Sequence, residues 1–184
     1  MAGVSADDAA FAARVARLDA NALIRVHDGR LWAALPFGVL AVRDLAGDLD
    51  EAVHRAGDLS DGRPEARPAS EWRGRLPQRP WEVLETVPAA DVAALDRQAA
   101  ETLRQRRGQG VGDRRLRDAL LEHVALRVEH GDERYAVELR LVVALMRMGF
   151  LGESPVRVLR AGRRVGLAAA HGGVWERERG LPLL

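Results

Sequence analysis

Apolar residues recur first at the spacing of a helix and then at the spacing of strands. Phe11, Val15 and Leu18 share one helical face, and Ser5 with Asp8 three residues on has the form of a capping box. Residues 5–19 are therefore predicted as an amphipathic helix, which needs a sheet to cover. That sheet is expected at once: Leu23 to His27, an Asp28-Gly29 turn suited to positive φ, Arg30 to Leu35, a Pro36-Phe37-Gly38 corner, and Val39 to Arg43. Asp48 and Glu51 then predict a short helix carrying Leu49, Ala52, Val53 and Ala56. The first unit reads α-β-β-β-α, over residues 1–60.

Residues 61–82 hold four of the eight prolines and no periodic apolar pattern, as expected of a linker or a long wrapped loop. Trp72 and Trp81 within it are expected to anchor the segment to a neighbouring surface, since side chains of that size gain most by burial.

Residues 83–184 form the second unit. Pro88 and Asp91 open a helix with Val92, Leu95, Ala99 and Leu103 on one face, ended by the stretch Gly108 to Gly112. Asp113 caps a helix from Leu116 to His123, Val124 to Glu129 alternates like a strand, and His130-Gly131-Asp132 is a turn. From Glu133 to Phe150 two apolar stripes run along one predicted helix, the mark of a helix buried in a core or pressed on a partner. Val156 to Arg160 and Arg164 to Ala170 make a hairpin, with Val174-Trp175 as a closing strand or plug. The halves differ in element order, so no internal repeat is read. The fold class is α+β: an N-terminal α-β-β-β-α meander unit, then a helix-rich unit ending in a β-hairpin.

Composition narrows the chemistry. All 28 basic residues are Arg, and Ile24 and Asn21 are the sole residues of their types, a bias of high-GC coding that weakens any Arg-rich stretch as a sign of nucleic-acid binding. Without Lys there is no Schiff-base or P-loop lysine, and without Cys there is no thiolate nucleophile or Cys-ligated metal. The N-terminal stretch is acidic where a secretion signal is basic, and no stretch approaches the ~20 apolar residues of a membrane span. A cytoplasmic protein without membrane association is expected. Charge is divided: residues 1–101 hold 12 Arg against 17 acids, net −5, and residues 102–184 hold 16 Arg against 10 acids, net +6. Such a dipole suits an anionic partner or self-association.

The stretches RLDANALIRV, LWAALPFGVLAVR, WEVLETVPAADV, VGDRRLRDALLEHVAL, LVVALMRMGFLG and GRRVGLAAAHGGVW resemble a family of uncharacterised actinobacterial proteins of unknown function. The resemblance runs over residues 14 to 175. It implies a cytoplasmic, lineage-restricted role and brings no activity, cofactor or catalytic residue to carry over.

Candidate sites are incomplete. Gly108-Gln109-Gly110-Val111-Gly112 lacks the preceding strand and spacing of a dinucleotide loop. His171-Gly172-Gly173 has the form of an esterase oxyanion loop without a nucleophile elbow. His54 and Asp58 are spaced to pair on one helix, without a nucleophile. Glu122, His123, Glu129, His130, Asp132 and Glu133 match no metal motif. No catalytic, cofactor or metal residue is assigned. Arg114, Arg115 and Arg117 on a helix, with Arg157, Arg160, Arg163 and Arg164 on the hairpin, are candidate nucleic-acid contacts of a winged-helix-like unit. Val142, Val143, Met146 and Phe150 are candidate contacts for a protein partner or a second copy. The expected function is a non-enzymatic interaction or regulatory role, with DNA binding as the alternative.

Overall fold

The computed structural model describes residues 3–108 and 112–178. Helix α1 (Ala6–Leu18) leads into a meander of β1 (Leu23–His27), β2 (Arg30–Leu35) and β3 (Val39–Asp44). Asp28 and Gly29 take the positive φ values of 51° and 65° that the β1–β2 turn requires. Ser5 caps α1, its Oγ accepting the Asp8 N–H at 3.1 Å. The buried Asp8 carboxylate does not return to the Ser5 backbone as in a capping box. It accepts the Ser5 hydroxyl and the N–H groups of Ala46 (3.1 Å) and Gly47 (2.7 Å), tying the chain after β3 to the start of α1. Asp8→Ala leaves two amide donors without their acceptor and should cost about 2–4 kcal/mol in thermal or denaturant unfolding; a change below about 0.5 kcal/mol would show that water replaces the carboxylate.

The next element departs from the expectation. Val53–Arg55 is not helical but forms β4, pairing with β1, and the short helix α2 begins only at Ala56 (Ala56–Ser60). Burial of Val53 and His54 against β1 outweighs the local helix signal. His54 and Asp58 therefore lie on different elements, and His54 Nδ1 meets the Glu65 carbonyl at 2.9 Å.

The second half contains β5 (Glu82–Val87), α3 (Ala89–Arg106), α4 (Asp113–Leu121), β6 (Val124–His130), β7 (Glu133–Glu138), α5 (Leu139–Arg147), β8 (Val156–Ala161), β9 (Arg164–Ala169) and β10 (Gly172–Glu176). The long helix expected over 133–150 is thus two elements. Residues 133–138 pair with β6 from His130↔Glu133 to Val124↔Glu138, and only Leu139 onward is helical.

Strands β6 and β7 form their own ribbon, and the other eight make one sheet in the order β4-β1-β2-β3-β10-β9-β8-β5. A repeat that element order concealed appears here. α1 with β1-β2-β3 and α5 with β8-β9-β10 are each a helix followed by a meander, and they join through the antiparallel pair β3–β10, from Val42↔Gly173 to Val39↔Glu176. The six central strands read the same from either end.

One face of the sheet carries Ile24, Leu31, Leu35, Val39, Val158, Leu167 and Val174, buried beneath α1, α3 and α5. The other carries Trp32, Leu40, Val42, Leu159 and Trp175, and no α-helix among the described residues covers it; Trp72 and Leu76 of the proline-rich segment are buried in this second cluster, with Trp81 packed against it. The expected anchoring by Trp72 and Trp81 is what the structure shows. Both sheet edges are blunted. The three-residue β4 is bridged by Arg67, whose N–H donates to the Val53 carbonyl at 2.8 Å, and β5 is interrupted by an irregularity between Val83 and Glu85, with His130 Nδ1 at 3.2 Å from the Leu84 carbonyl. Such edges disfavour strand-to-strand association.

Candidate functional site

Two surfaces gather groups that the core does not use. The first is an apolar groove of about 430 Å³ between α3, α4 and the start of β6, lined by Leu95, Ala99, Leu116, Leu120, Val124 and Leu139 with Thr102, Arg106 and His123 at its rim. Its existence follows from α4. This nine-residue helix has its leucines at helical spacing, yet none of its residues is fully buried, so it rests on α3 and α5 without being enclosed. Asp113 lies in its first turn, after Gly112 at the cap position. Arg114, Arg115 and Arg117 are exposed on it, with no carboxylate partner among the described residues.

The second is an open cleft of about 1050 Å³ that runs from the helix-free face of the sheet around the end of β3 and β10 to α1 and the turn after α5, where Asp7, Phe11, Arg14 and Phe150 line it. Arg30, Arg79, Trp81, Arg157, Ala168 and Gly173 are among its walls and floor.

The remaining sequence candidates fall elsewhere. Arg160 is engaged by Glu82 and Glu133, with Tyr135 beneath it. The Arg160 guanidinium holds the Glu82 carboxyl below its ordinary value, and for Glu133 the Tyr135 hydroxyl and then Arg160 act in the same direction. Arg164 donates to the carbonyls of Glu176 (2.9 Å) and Arg75 (2.7 Å), and burial lowers its pKa. Both arginines clasp the proline-rich segment and the β6–β7 ribbon to the sheet. Arg163 lies exposed in the β8–β9 turn. The hairpin itself is interior to the sheet, with β10 on one side and β5 on the other, so it is no free wing.

Val142 and Phe150 are closed in the core, while Val143 and Met146 are half-buried. The apolar surface that the sequence displays all round α5 is met by α3, α4, the sheet and β6 of the same chain. Gly172 follows His171 with φ 154°, and a Cβ there would stand 2.6 Å from the Phe150 ring, so this glycine serves close packing. Of the glycine string, residues 109–111 lie outside the described residues. Glu129 pairs with Arg134, and His130 with Glu82 at 3.1 Å. No group of three or more metal-ligating side chains occurs among the described residues. No described helix is long and apolar enough to cross a membrane. The groove and the cleft were both missed in sequence; the half-used leucines of α4 were the available signal for the first, and the second draws on residues too distant in the chain to be grouped.

The fold is similar to that of solved DNA polymerase sliding clamps. The chain is similar to Caulobacter crescentus pol III beta (TM-score 0.59, 11% identity, covering 99% of this chain and 66% of that one). It is similar also to a DNA polymerase sliding clamp from Pseudomonas aeruginosa (0.55, 11%, 96% and 64%) and to the DNA polymerase III beta subunit of Thermotoga maritima (0.50, 12%, 96% and 63%). At such identities the likeness is one of fold, and the chain spans under two thirds of the length of those it matches. A search of curated protein sequences finds no match. Residues 2–82 match DUF8010, a domain of unknown function. Residues 76–181, more than half of the chain, match the domain of unknown function DUF8185, and the chain belongs to that family.

Proposed function

We propose that this chain is a non-enzymatic interaction protein that receives an apolar, acid-flanked segment of a protein partner in the groove between α3 and α4. The observation that carries the reading is α4 itself, an amphipathic helix whose Leu116 and Leu120 line the groove while none of its residues is fully enclosed. Exposed apolar concavities with a polar rim are where amphipathic helices dock. Arg106 at the rim and Arg114, Arg115 and Arg117 on the outer surface of α4 supply positive charge on both sides, which selects acidic flanks. The fold shared with proteins named as clamps supports a role by association rather than by chemistry.

The test is fluorescence anisotropy with a labelled amphipathic peptide carrying leucines at i and i+4 between glutamates. Saturable micromolar binding is expected, weakened at least tenfold, about 1.4 kcal/mol, by Leu116→Glu. Binding that is absent, or indifferent to Leu116→Glu in a variant of unchanged circular dichroism, overturns the reading.

A DNA-binding role is the second reading, favoured by the unpaired Arg114, Arg115 and Arg117 and by the polymerase context of the similar structures. Under it a duplex binds with an affinity that falls steeply with salt, and Ala at these three positions flattens that dependence. Salt-insensitive or undetectable duplex binding removes it.

A further inference from the structure

We infer that the cleft on the helix-free face of the sheet is a binding site for a nucleoside phosphate, a small anion with an aromatic ring. The site is independent of the α3–α4 groove, which lies against the other face.

The floor is set by strand register. Arg157 of β8 stands opposite Ala168 of β9, Ala168 opposite Gly173 of β10, and Gly173 opposite Val42 of β3. Directly opposed residues point to the same face, so this row is a trough in which the two central side chains are the smallest available. One row further along, Leu159 and Trp175 fill the same face, and the trough ends against them. The proline-rich segment covers the sheet up to Trp81 and leaves the trough open. Val83 beside it is 43% exposed and is the large apolar side chain most open to solvent among the described residues.

The walls carry the recognition chemistry. Trp81 is half-buried, held edge-on to Trp32 at 6.0 Å and tilted against Trp175 at 5.0 Å, so its indole is a fixed apolar wall. Arg30 and Arg79 place their guanidinium carbons 5.4 and 4.6 Å from its ring centre. Arg30 is already neutralised by Asp28 and Asp44, at 3.3 and 3.2 Å. Arg79 and Arg157 have no carboxylate partner among the described residues; Arg79 lies over the Trp81 ring, and Arg157 closes the trough row on β8. Two unneutralised guanidiniums are suited to the paired oxygens of phosphate, and a tryptophan with an apolar floor is suited to a flat ring. A highly charged inorganic ion would leave the aromatic wall unused, and an uncharged ring would leave the arginines unused.

The experiment is isothermal titration calorimetry of the full chain with ATP, pyrophosphate and adenosine at low and moderate salt, repeated with Arg157→Ala and Arg79→Ala. Both side chains are exposed, so neither change should disturb folding, and circular dichroism checks this. The expected result is saturable ATP binding, at least tenfold weaker in either variant, with pyrophosphate and adenosine each binding more weakly than ATP. The inference is overturned if ATP does not bind, if it binds equally to both variants, or if pyrophosphate binds as tightly as ATP, the last showing a bare anion site.

Discussion

Replacing Phe150 by alanine should lower the unfolding free energy by about 3–5 kcal/mol, the range for emptying a buried aromatic site. The ring is 2% exposed and stacks on Phe11 with centroids 6.2 Å apart and planes inclined by 11°. It therefore joins the helix of the first α-β-β-β unit to the turn that follows the helix of the second. On its other side lies Gly172, and the Phe150 carbonyl accepts the N–H of His171. No neighbour can collapse into the void without disturbing the start of β10. Out of a typical stability of roughly 5–15 kcal/mol the loss is large, and the melting temperature should fall on the order of 10 °C. Met146→Ala, at a half-buried position four residues away, should cost clearly less. Equal small effects at both positions would place Phe150 outside the core.

Trp72→Ala should cost about 3 kcal/mol or more and should release the segment it holds. Trp72 is buried beside Leu76 in the second cluster, and the nearby bidentate ion pair of Arg67 with Glu71, at 2.7 and 2.9 Å, joins two residues of the same segment and does not fix it to the sheet. Arg73 and Arg75 follow closely, so limited trypsin digestion should cut the variant after residues 73 and 75 well before the parent chain. Trp72→Phe separates burial from hydrogen bonding. The indole N–H has no partner among the described residues, so phenylalanine should preserve most of the stability and the resistance to trypsin. A Trp72→Ala chain as stable and as resistant as the parent would refute the anchoring role.

The first meander, the terminal hairpin and the closing strand were legible because each is local: alternation and turn residues specify them without reference to the rest of the chain. The failures have a common form. Val53–Arg55 and Glu133–Glu138 both sit just before a helix, and in both the helical periodicity extends backward through residues that instead pair with a strand at hand, β1 for one and β6 for the other. Tertiary burial decided these against local pattern. β5 was hidden within the charged stretch after the prolines, with only Leu84 fully buried. The apolar surface of α5 was read correctly as buried, but a sequence does not say whether the covering surface belongs to the same chain. The candidate sites were least legible of all, because the trough is assembled from β3, β8, β9, β10 and residues 79–81, and only sheet register brings them together.

The seam between β3 and β10 bears on how the chain reaches this structure. Each meander is built from neighbours in sequence, whereas the partners across the seam, such as Val42 and Gly173, lie roughly 130 residues apart, and everything between them must be looped out before they meet. The two α-β-β-β units can thus be organised early and separately, while the seam and the Phe11–Phe150 stack pay the closure entropy together. Non-local pairing of this kind sets slow folding rates. On that basis docking of the two halves is the step expected to limit folding, with the intervening segment as the tether that sets how often they meet.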